Sequence, residues 1–171
     1  MTPQNLTKEI LAGKIFIYPT DTIYGIGCNA LDEEAVEKIR EIKCRDNKPF
    51  SIIAPSMEWI KENLIVNVEI EKYLPGPYTI ILKKKNPKFL SWVSSTETLG
   101  IRIPKHPFCF QIQEAQVPFI TTSVNKSGEI PSNKISEIKK EILNKTDYII
   151  DAGELSGKPS TLIKEGKEIE R

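Results

Sequence analysis

Residues 19–30 read PTDTIYGIGCNA and follow the apolar run Ile15-Phe16-Ile17-Tyr18, whose length and composition predict a buried strand over 14–18. Gly25, Gly27 and Ala30 spell GxGxxA, the spacing of a dinucleotide loop. In that loop the first glycine stands at the strand end, the third small residue lies inside a helix, and an acid closes the next strand roughly 20 residues on. None of these conditions is met. Six residues, PTDTIY, separate the strand from Gly25; the next helix cap is Asp32; the following strand closes on Ala54-Pro55 without a carboxylate. Attention therefore moves to PTDT, where a proline fixes the exit from a strand and three short polar side chains follow. Open α/β sheets place ligands at that edge, although Asp and Thr also serve ordinary turns there.

Bulk composition narrows the classes. With 171 residues, 39% of them hydrophobic, the chain can bury one core of ordinary domain size. Its 24 Lys and Arg against 23 Asp and Glu leave a net charge of +1, which lacks the broad basic surface of sequence-independent nucleic-acid binding. Any polyanion must be held locally. Cys28, Cys44 and Cys109 form no CxxC pair, which disfavours a disulfide framework or zinc site and fits a reducing compartment. The first residues, MTPQNLTKEILAG, show no export signature, and no apolar run approaches membrane-spanning length. A single-domain cytoplasmic protein is expected.

The periodicities predict a mixed parallel and antiparallel sheet with helices packed on it, an α/β (α+β) arrangement. Thr2-Pro3 opens a helix that ends before Gly13. Asp32 caps a helix over 33–43, which delivers Lys43 at its C-terminal end. A strand over Phe50–Ala54, helical segments over 57–64 and 68–74, and strands over 78–84 and 99–103 follow. Then come a helix over 108–115, a strand over 117–121, a helix over 136–145 and a strand over 148–151. Strands near 161–164 and 168–170 close the series around a Gly166 turn.

Four further segments carry polar side chains at element ends. IKCRDNKPFS, 42–51, places Lys43, Arg45 and Lys48 in one connection, a plausible cradle for a triphosphate or a solvated charge run. VPFITTSVNKSGEIPS, 117–132, leaves a strand and presents Thr121, Thr122, Ser123, Asn125, Ser127 and Ser132, whose hydroxyls and amides can bond phosphate or ribose oxygens. GIRIPKHPF sets Arg102 mid-strand between two isoleucines, facing solvent or paired with an anion. LSGKPSTLI sets Ser160 and Thr161 at a strand start.

PTDTIYGIG, KCRDNKPFS, PGPYT, IRIPKHP, TTSVNKSGEIPS and KPSTLI, in that order from about Gly13 to Ile163, resemble the successive motifs of the YrdC-type threonylcarbamoyl-AMP synthase family, in its single-domain bacterial form. The resemblance implies that L-threonine, bicarbonate or CO2, and ATP give threonylcarbamoyl-AMP and pyrophosphate, as the first step of tRNA threonylcarbamoyladenosine modification. A downstream transfer complex then reaches the tRNA. It assigns Lys43 and Arg45 as catalytic, and Lys43, Arg45, Lys48, Ser123, Asn125 and Ser132 to ATP. It assigns Thr22, Arg102, Thr121 and Ser160 to threonine, with Arg102 on the carboxylate. Two departures stand out: the connection after Arg45 is one residue shorter than KxRPxxxP, and Val124 replaces a usual alanine.

Such a reaction joins several anions, so cations and positioning suffice and no protein nucleophile is needed. Mg2+ is expected with ATP, keeping waters and needing few protein ligands, with Asp21 as an outer-shell partner or a turn former. His106 is expected to cap or pack, and Cys44 lacks the second feature of a thiol nucleophile. The competing readings are an RNA-binding module using Lys83-Lys84-Lys85 and Lys139-Lys140, and a paralogue that adenylates another carbamate.

Overall fold

A computed structural model describes residues 3–169. Helix α1 (Pro3–Leu11) leads into β1 (Phe16–Tyr18), β2 (Gly25–Gly27) and α2 (Glu33–Lys43). Next come β3 (Ser51–Ile53), α3 (Met57–Asn63), β4 (Leu64–Ile65), β5 (Tyr78–Lys84) and β6 (Thr98–Arg102). The chain continues through α4 (Phe108–Ala115), β7 (Phe119–Ser123), α5 (Lys140–Leu143), β8 (Tyr148–Ile149), β9 (Thr161–Lys164) and β10 (Lys167–Ile169). The strands form one sheet in the order β10-β9-β5-β6-β3-β7-β2-β1-β8, with β4 added to β5. Pairs β1/β8, β3/β6 and β5/β9 are parallel, and the other pairs are antiparallel, so the expected mixed sheet is the observed one.

Strand register explains where the core stops and the site begins. Ser51 pairs with Gly100 and Thr121, and Ile53 with Arg102 and Phe119. Because side chains alternate, Phe16, Tyr18, Ile53, Phe119, Ser51, Gly100, Arg102, Thr121 and Ser123 share one face. At one end that face is aromatic. Phe16, Tyr18 and Phe119 pack with Phe108 of α4 under α1 and α4, with ring centroids 4.8 to 6.1 Å apart; such pairs contribute about 0.5–1.5 kcal/mol each beyond burial. At the other end it turns to hydroxyls, a glycine and an arginine, which leave space. The opposite face, with Ile17, Ile26, Ile52, Ile101 and Ile120, packs on the apolar stripe of α2 and on α3.

Local chemistry sets the ends of α2. Asp32 Oδ1 accepts the Ala35 N–H at 3.0 Å, the cap expected, worth about 1 kcal/mol. The Gly166 turn also forms as expected: Glu165 and Gly166 both have positive φ, 51° and 74°, as two-residue hairpins with the right twist require.

Several expectations change. The glycines of GxG are not in a loop; they form β2, which runs antiparallel between β1 and β7. A Cβ on Gly27 would stand 1.9 Å from the Ile120 carbonyl oxygen, so that glycine permits close strand approach. The helix over 57–64 stops at Asn63, and Leu64 enters β4. The helix expected over 68–74 is a 3-10 turn at Ile70–Lys72 before the Pro-Gly-Pro stop. That expected over 136–145 divides into a turn at Ile135–Glu137 and α5. The strand expected over 117–121 lies two residues later, which places Thr122 and Ser123 within β7. Thr2, expected at a helix start, lies outside the described residues.

The lysine triplet is not a single basic face. Lys84 is buried, its ammonium donating to the Phe89 and Ser94 carbonyls at 3.1 and 2.9 Å. Lys83 pairs with Glu97 at 3.2 Å, and Lys85 bonds the Lys61 carbonyl. Lys139 is paired with Glu129.

Candidate functional site

Where the shared sheet face loses its large side chains, a cavity of about 210 Å³ opens. Its floor is Gly25, Ser51, Thr79, Arg102, Thr121 and Ser123; its walls come from Thr20 and Tyr24, from Arg45, Pro49 and Phe50, and from Pro131, Pro159 and Ser160. The expected residues Arg45, Arg102, Thr121, Ser123 and Ser160 therefore share one hollow. Lys43, Lys48, Asn125 and Ser132 do not line it, and Thr22 stands just behind it. Of the four cations expected around one cavity, two face into it.

The PTDT turn is tied by its own hydroxyls. Thr20 Oγ1 donates to the Ile23 carbonyl at 2.8 Å and accepts the Thr22 N–H at 3.1 Å. This aims Asp21 and Thr22 at Arg102, whose Nη2 donates to Asp21 Oδ1 at 2.9 Å and to Thr22 Oγ1 at 3.1 Å. The second carboxylate oxygen of Asp21 accepts the Lys105 N–H at 2.9 Å. Burial pulls the Arg102 pKa downward and the Asp21 charge pulls it back up, so the guanidinium stays charged.

Helix α2 ends in a left-handed cap. Cys44 has φ 48°, its N–H meets the Glu41 carbonyl at 3.2 Å, and the Arg45 N–H meets the Arg40 carbonyl at 3.0 Å, a Schellman pattern. This reversal sends Lys43 and Arg45 different ways. The Lys43 ammonium is buried and donates to the Ser123 carbonyl, to the Asn125 carbonyl at 2.8 Å and to Asn125 Oδ1 at 3.5 Å. The Lys43 carbonyl in turn accepts the Ser127 N–H at 3.0 Å. Lys43 thus fastens α2 to the loop after β7. Burial, and then the nearby Arg45 charge, push its pKa down to about 7.

Arg45 enters the cavity with Nη2 on the Pro49 carbonyl at 2.7 Å and its guanidinium carbon 5.1 Å from the Phe50 ring centre. Among the described residues, the buried side-chain polar atoms lacking a hydrogen-bond partner are Arg45 Nε and Arg102 Nε. Both belong to cavity arginines. A buried donor without a partner costs about 1–3 kcal/mol, and an anionic ligand in the cavity would offer an acceptor. Neutral donors surround them: Ser123 Oγ donates to Asn125 Oδ1, and Thr79 Oγ1 and Ser160 Oγ lie 2.7 Å apart.

Asn125 and Ser132 line an adjacent hollow of about 410 Å³, and Lys48 is exposed, with its carbonyl accepting from Arg40 at 2.9 Å. A segment without regular structure, 150–160, crosses the PTDT turn. Tyr24 Oη holds it, donating to the Gly153 carbonyl at 2.8 Å and accepting the Ala152 N–H at 2.8 Å. A Cβ on Gly157 would lie 2.0 Å from the Thr22 carbonyl oxygen.

Thr20 belongs to the PTDT stretch read from the sequence, whereas Tyr24, Ser51 and Thr79 have no role assigned there. Ser51 and Thr79 carried a usable signal, since each is a small hydroxyl in an otherwise apolar strand. His106 caps as expected, its Nδ1 accepting the Phe108 N–H at 3.2 Å. Among the described residues no group of three or more His, Cys, Asp or Glu gathers, and no helix is long and apolar enough to cross a membrane.

Fold and cavity together define a class, and comparison with known sequences agrees. The family model named for Sua5, YciO and YrdC, described as telomere recombination, matches residues 8–170, and the chain belongs to that family. A Methanocaldococcus jannaschii protein provisionally named a threonylcarbamoyl-AMP synthase is 47% identical over 93% of this chain and 78% of its own length. The threonylcarbamoyl-AMP synthase of Marinobacter nauticus is 32% identical over 91% of this chain and 87% of its own. The crystal structure of Pyrococcus abyssi Sua5 complexed with L-threonine superposes with a TM-score of 0.82 at 29% identity, covering 96% of this chain and 52% of that one. The chain thus spans about half of the latter protein.

Proposed function

We propose that this chain is an L-threonylcarbamoyladenylate synthase, a nucleotidyltransferase that binds L-threonine and ATP in the cavity described. The observation that carries this reading is the pair of guanidiniums on one small hollow, of the buried Arg102 and the half-buried Arg45, each with a buried Nε that has no partner. It implies a ligand with two anionic ends, as a carboxylate and a phosphate chain provide.

In this reading Arg102 takes the amino acid carboxylate, steadied by Asp21 and by Thr22 behind the cavity, and the hydroxyls of Thr121 and Ser160 face the threonine. The neutral threonine amine attacks the carbon of CO2 and releases one proton to water, or attacks bicarbonate and expels one water with no net proton release; either route gives the carbamate. A carbamate oxygen then attacks the α-phosphorus and the bond to the bridging oxygen breaks, so that pyrophosphate leaves toward Arg45. Lys43, Ser123 and Asn125 fix the backbone of that wall, while Ser132 lines the adjacent hollow and Lys48 stays exposed. Holding carbamate and α-phosphate together supplies roughly 7–11 kcal/mol of the barrier, and cations at the leaving group supply the electrostatic part. Mg2+ on the nucleotide would neutralise phosphate charge while keeping its own waters. Asp21 suits it poorly as an outer-shell partner, because both carboxylate oxygens are already engaged by Arg102 and Lys105. The product would feed a cytoplasmic complex that transfers the threonylcarbamoyl group to tRNA.

Purified protein with ATP, Mg2+ and bicarbonate should release pyrophosphate only when L-threonine is added, and Arg45→Ala should lower kcat/KM for ATP by about 100-fold or more, the scale of lost transition-state electrostatics. Release that ignores threonine would overturn the assignment.

A further inference from the structure

Arg45 is the cavity cation with the least direct support, having one carbonyl contact and an unpartnered Nε. What holds it lies on Arg40, a residue of the last turn of α2 that does not touch the cavity. Arg40 Nη1 donates to the Asp46 and Lys48 carbonyls at 2.7 and 2.9 Å, and Nη2 to the Trp92 and Val93 carbonyls at 2.8 and 3.2 Å. One planar fork thus closes the 44–50 connection onto the segment before β6. The Val93 carbonyl also accepts the Phe50 N–H at 3.0 Å.

The ring of Phe50 completes the device. The guanidinium carbon of Arg40 lies 4.4 Å from its centre and that of Arg45 lies 5.1 Å away, so both cations stack on one buried ring. In addition, the Arg40 carbonyl accepts the Arg45 N–H at 3.0 Å. Arg40 therefore fixes Arg45 through its backbone, through the loop carbonyls and by seating the Phe50 ring that Arg45 faces, against the mutual repulsion of the two guanidiniums.

We propose that Arg40 is the positioning residue for the nucleotide side of the site: it sets the place of Arg45 and so selectively controls ATP affinity and turnover, without touching substrate. This rests on the assignment of ATP to the cavity made above. A lysine cannot replace it, since one ammonium cannot reach four carbonyls in a plane.

The test is a cycle of Arg40→Gln, Arg45→Ala and the double variant, read by calorimetric titration with Mg-ATP alone and by threonine-dependent pyrophosphate release. A displaced cation costs on the order of 10- to 100-fold, so Arg40→Gln should weaken ATP binding and raise KM for ATP by that factor while KM for threonine changes less than about 2-fold. Arg40→Lys should fail to restore it. In the Arg45→Ala background Arg40→Gln should cost nothing further, because the residue it positions is gone. Additive losses, or equal losses for ATP and threonine, would reduce Arg40 to a general structural role and overturn the proposal. Should Arg40→Gln not fold, Phe50→Leu keeps the four carbonyl bonds and removes the ring that both cations face, while keeping an apolar side chain at that point of the cavity wall. It must then give the same ATP-selective loss, and unchanged ATP affinity would overturn the proposal. Wild-type protein that binds Mg-ATP but releases no pyrophosphate defeats the functional assignment and leaves the cycle to decide Arg40 on binding alone; wild-type protein that fails to bind Mg-ATP defeats both.

Discussion

Lys43 shows how far a single residue can depart from the role its neighbours suggest. Three cations in a six-residue stretch read as one cradle, yet Lys43 turns inward onto carbonyls while Arg45 faces the cavity and Lys48 stays outside. The cause is the left-handed Cys44, which no local propensity signals. A titration follows from the geometry. With its pKa pushed down to about 7 by burial and by Arg45, Lys43 is largely neutral at pH 8. The unfolded chain holds that proton up to its ordinary value, so this group makes the protein more stable as pH rises through 7 toward 10. An anion bound at Arg45 cancels one cause of the depression. Because burial remains the larger cause, we expect Mg-ATP binding at pH 8 to take up a fraction of a proton, measured by calorimetry in buffers of different ionisation enthalpy, and Lys43→Met to abolish that uptake. Identical proton counts in the two proteins would refute the linkage. Arg102 and Thr121 were legible because a charged or hydroxyl side chain in an apolar strand needs a reason; Arg40 was not, because an arginine on a helix surface ordinarily needs none.

Elements with their own punctuation were read well. Asp32 with its cap, Pro107 ahead of α4 and the Gly166 hairpin each depend on neighbours within a few residues, and each appears where expected. The strands 78–84 and 161–164 and the helix 108–115 also match their expected ranges. Segments 68–74 and 136–145 have helical periodicity but shorten, the first to a 3-10 turn and the second to a turn and the four-residue α5, because tertiary contacts override weak propensity over so few residues. Two consequences concern elements. Cys44 spends its energy on a left-handed φ of 48° that glycine adopts freely; Cys44→Gly should therefore raise unfolding free energy by up to about 1 kcal/mol in urea titrations. Gly157→Ala should do the opposite, since its Cβ would meet the Thr22 carbonyl at 2.0 Å. Lifting segment 150–160 should cost about 1–3 kcal/mol and raise KM for threonine through displaced Ser160, with ATP binding nearly unchanged. Equal loss for both substrates would show that the segment serves more than the threonine end.

For the whole molecule, mixed strand pairing was legible from adjacent strands at 78–103 and at the C-terminal hairpin, whereas the sheet order was not, because β2 and β7 insert between strands distant in sequence. Net charge acts at this scale as well. With +1 overall and the triplet 83–85 split between burial and pairing, we expect no retention of bulk tRNA in gel-shift assays at 0.15 M salt and protein below about 10 µM; clear retention there would revive the RNA-binding alternative. The parallel pairing of β5 with β9 has a consequence for synthesis. It brings Ser160 against Thr79, so one wall of the cavity is contributed by residues synthesised well after most of the aromatic core around Phe16, Tyr18, Phe108 and Phe119. A nascent chain that has emerged only as far as residue 150 can assemble its aromatic core yet has no complete receptacle for substrate. Ligand occupancy must therefore wait until synthesis has passed Ser160.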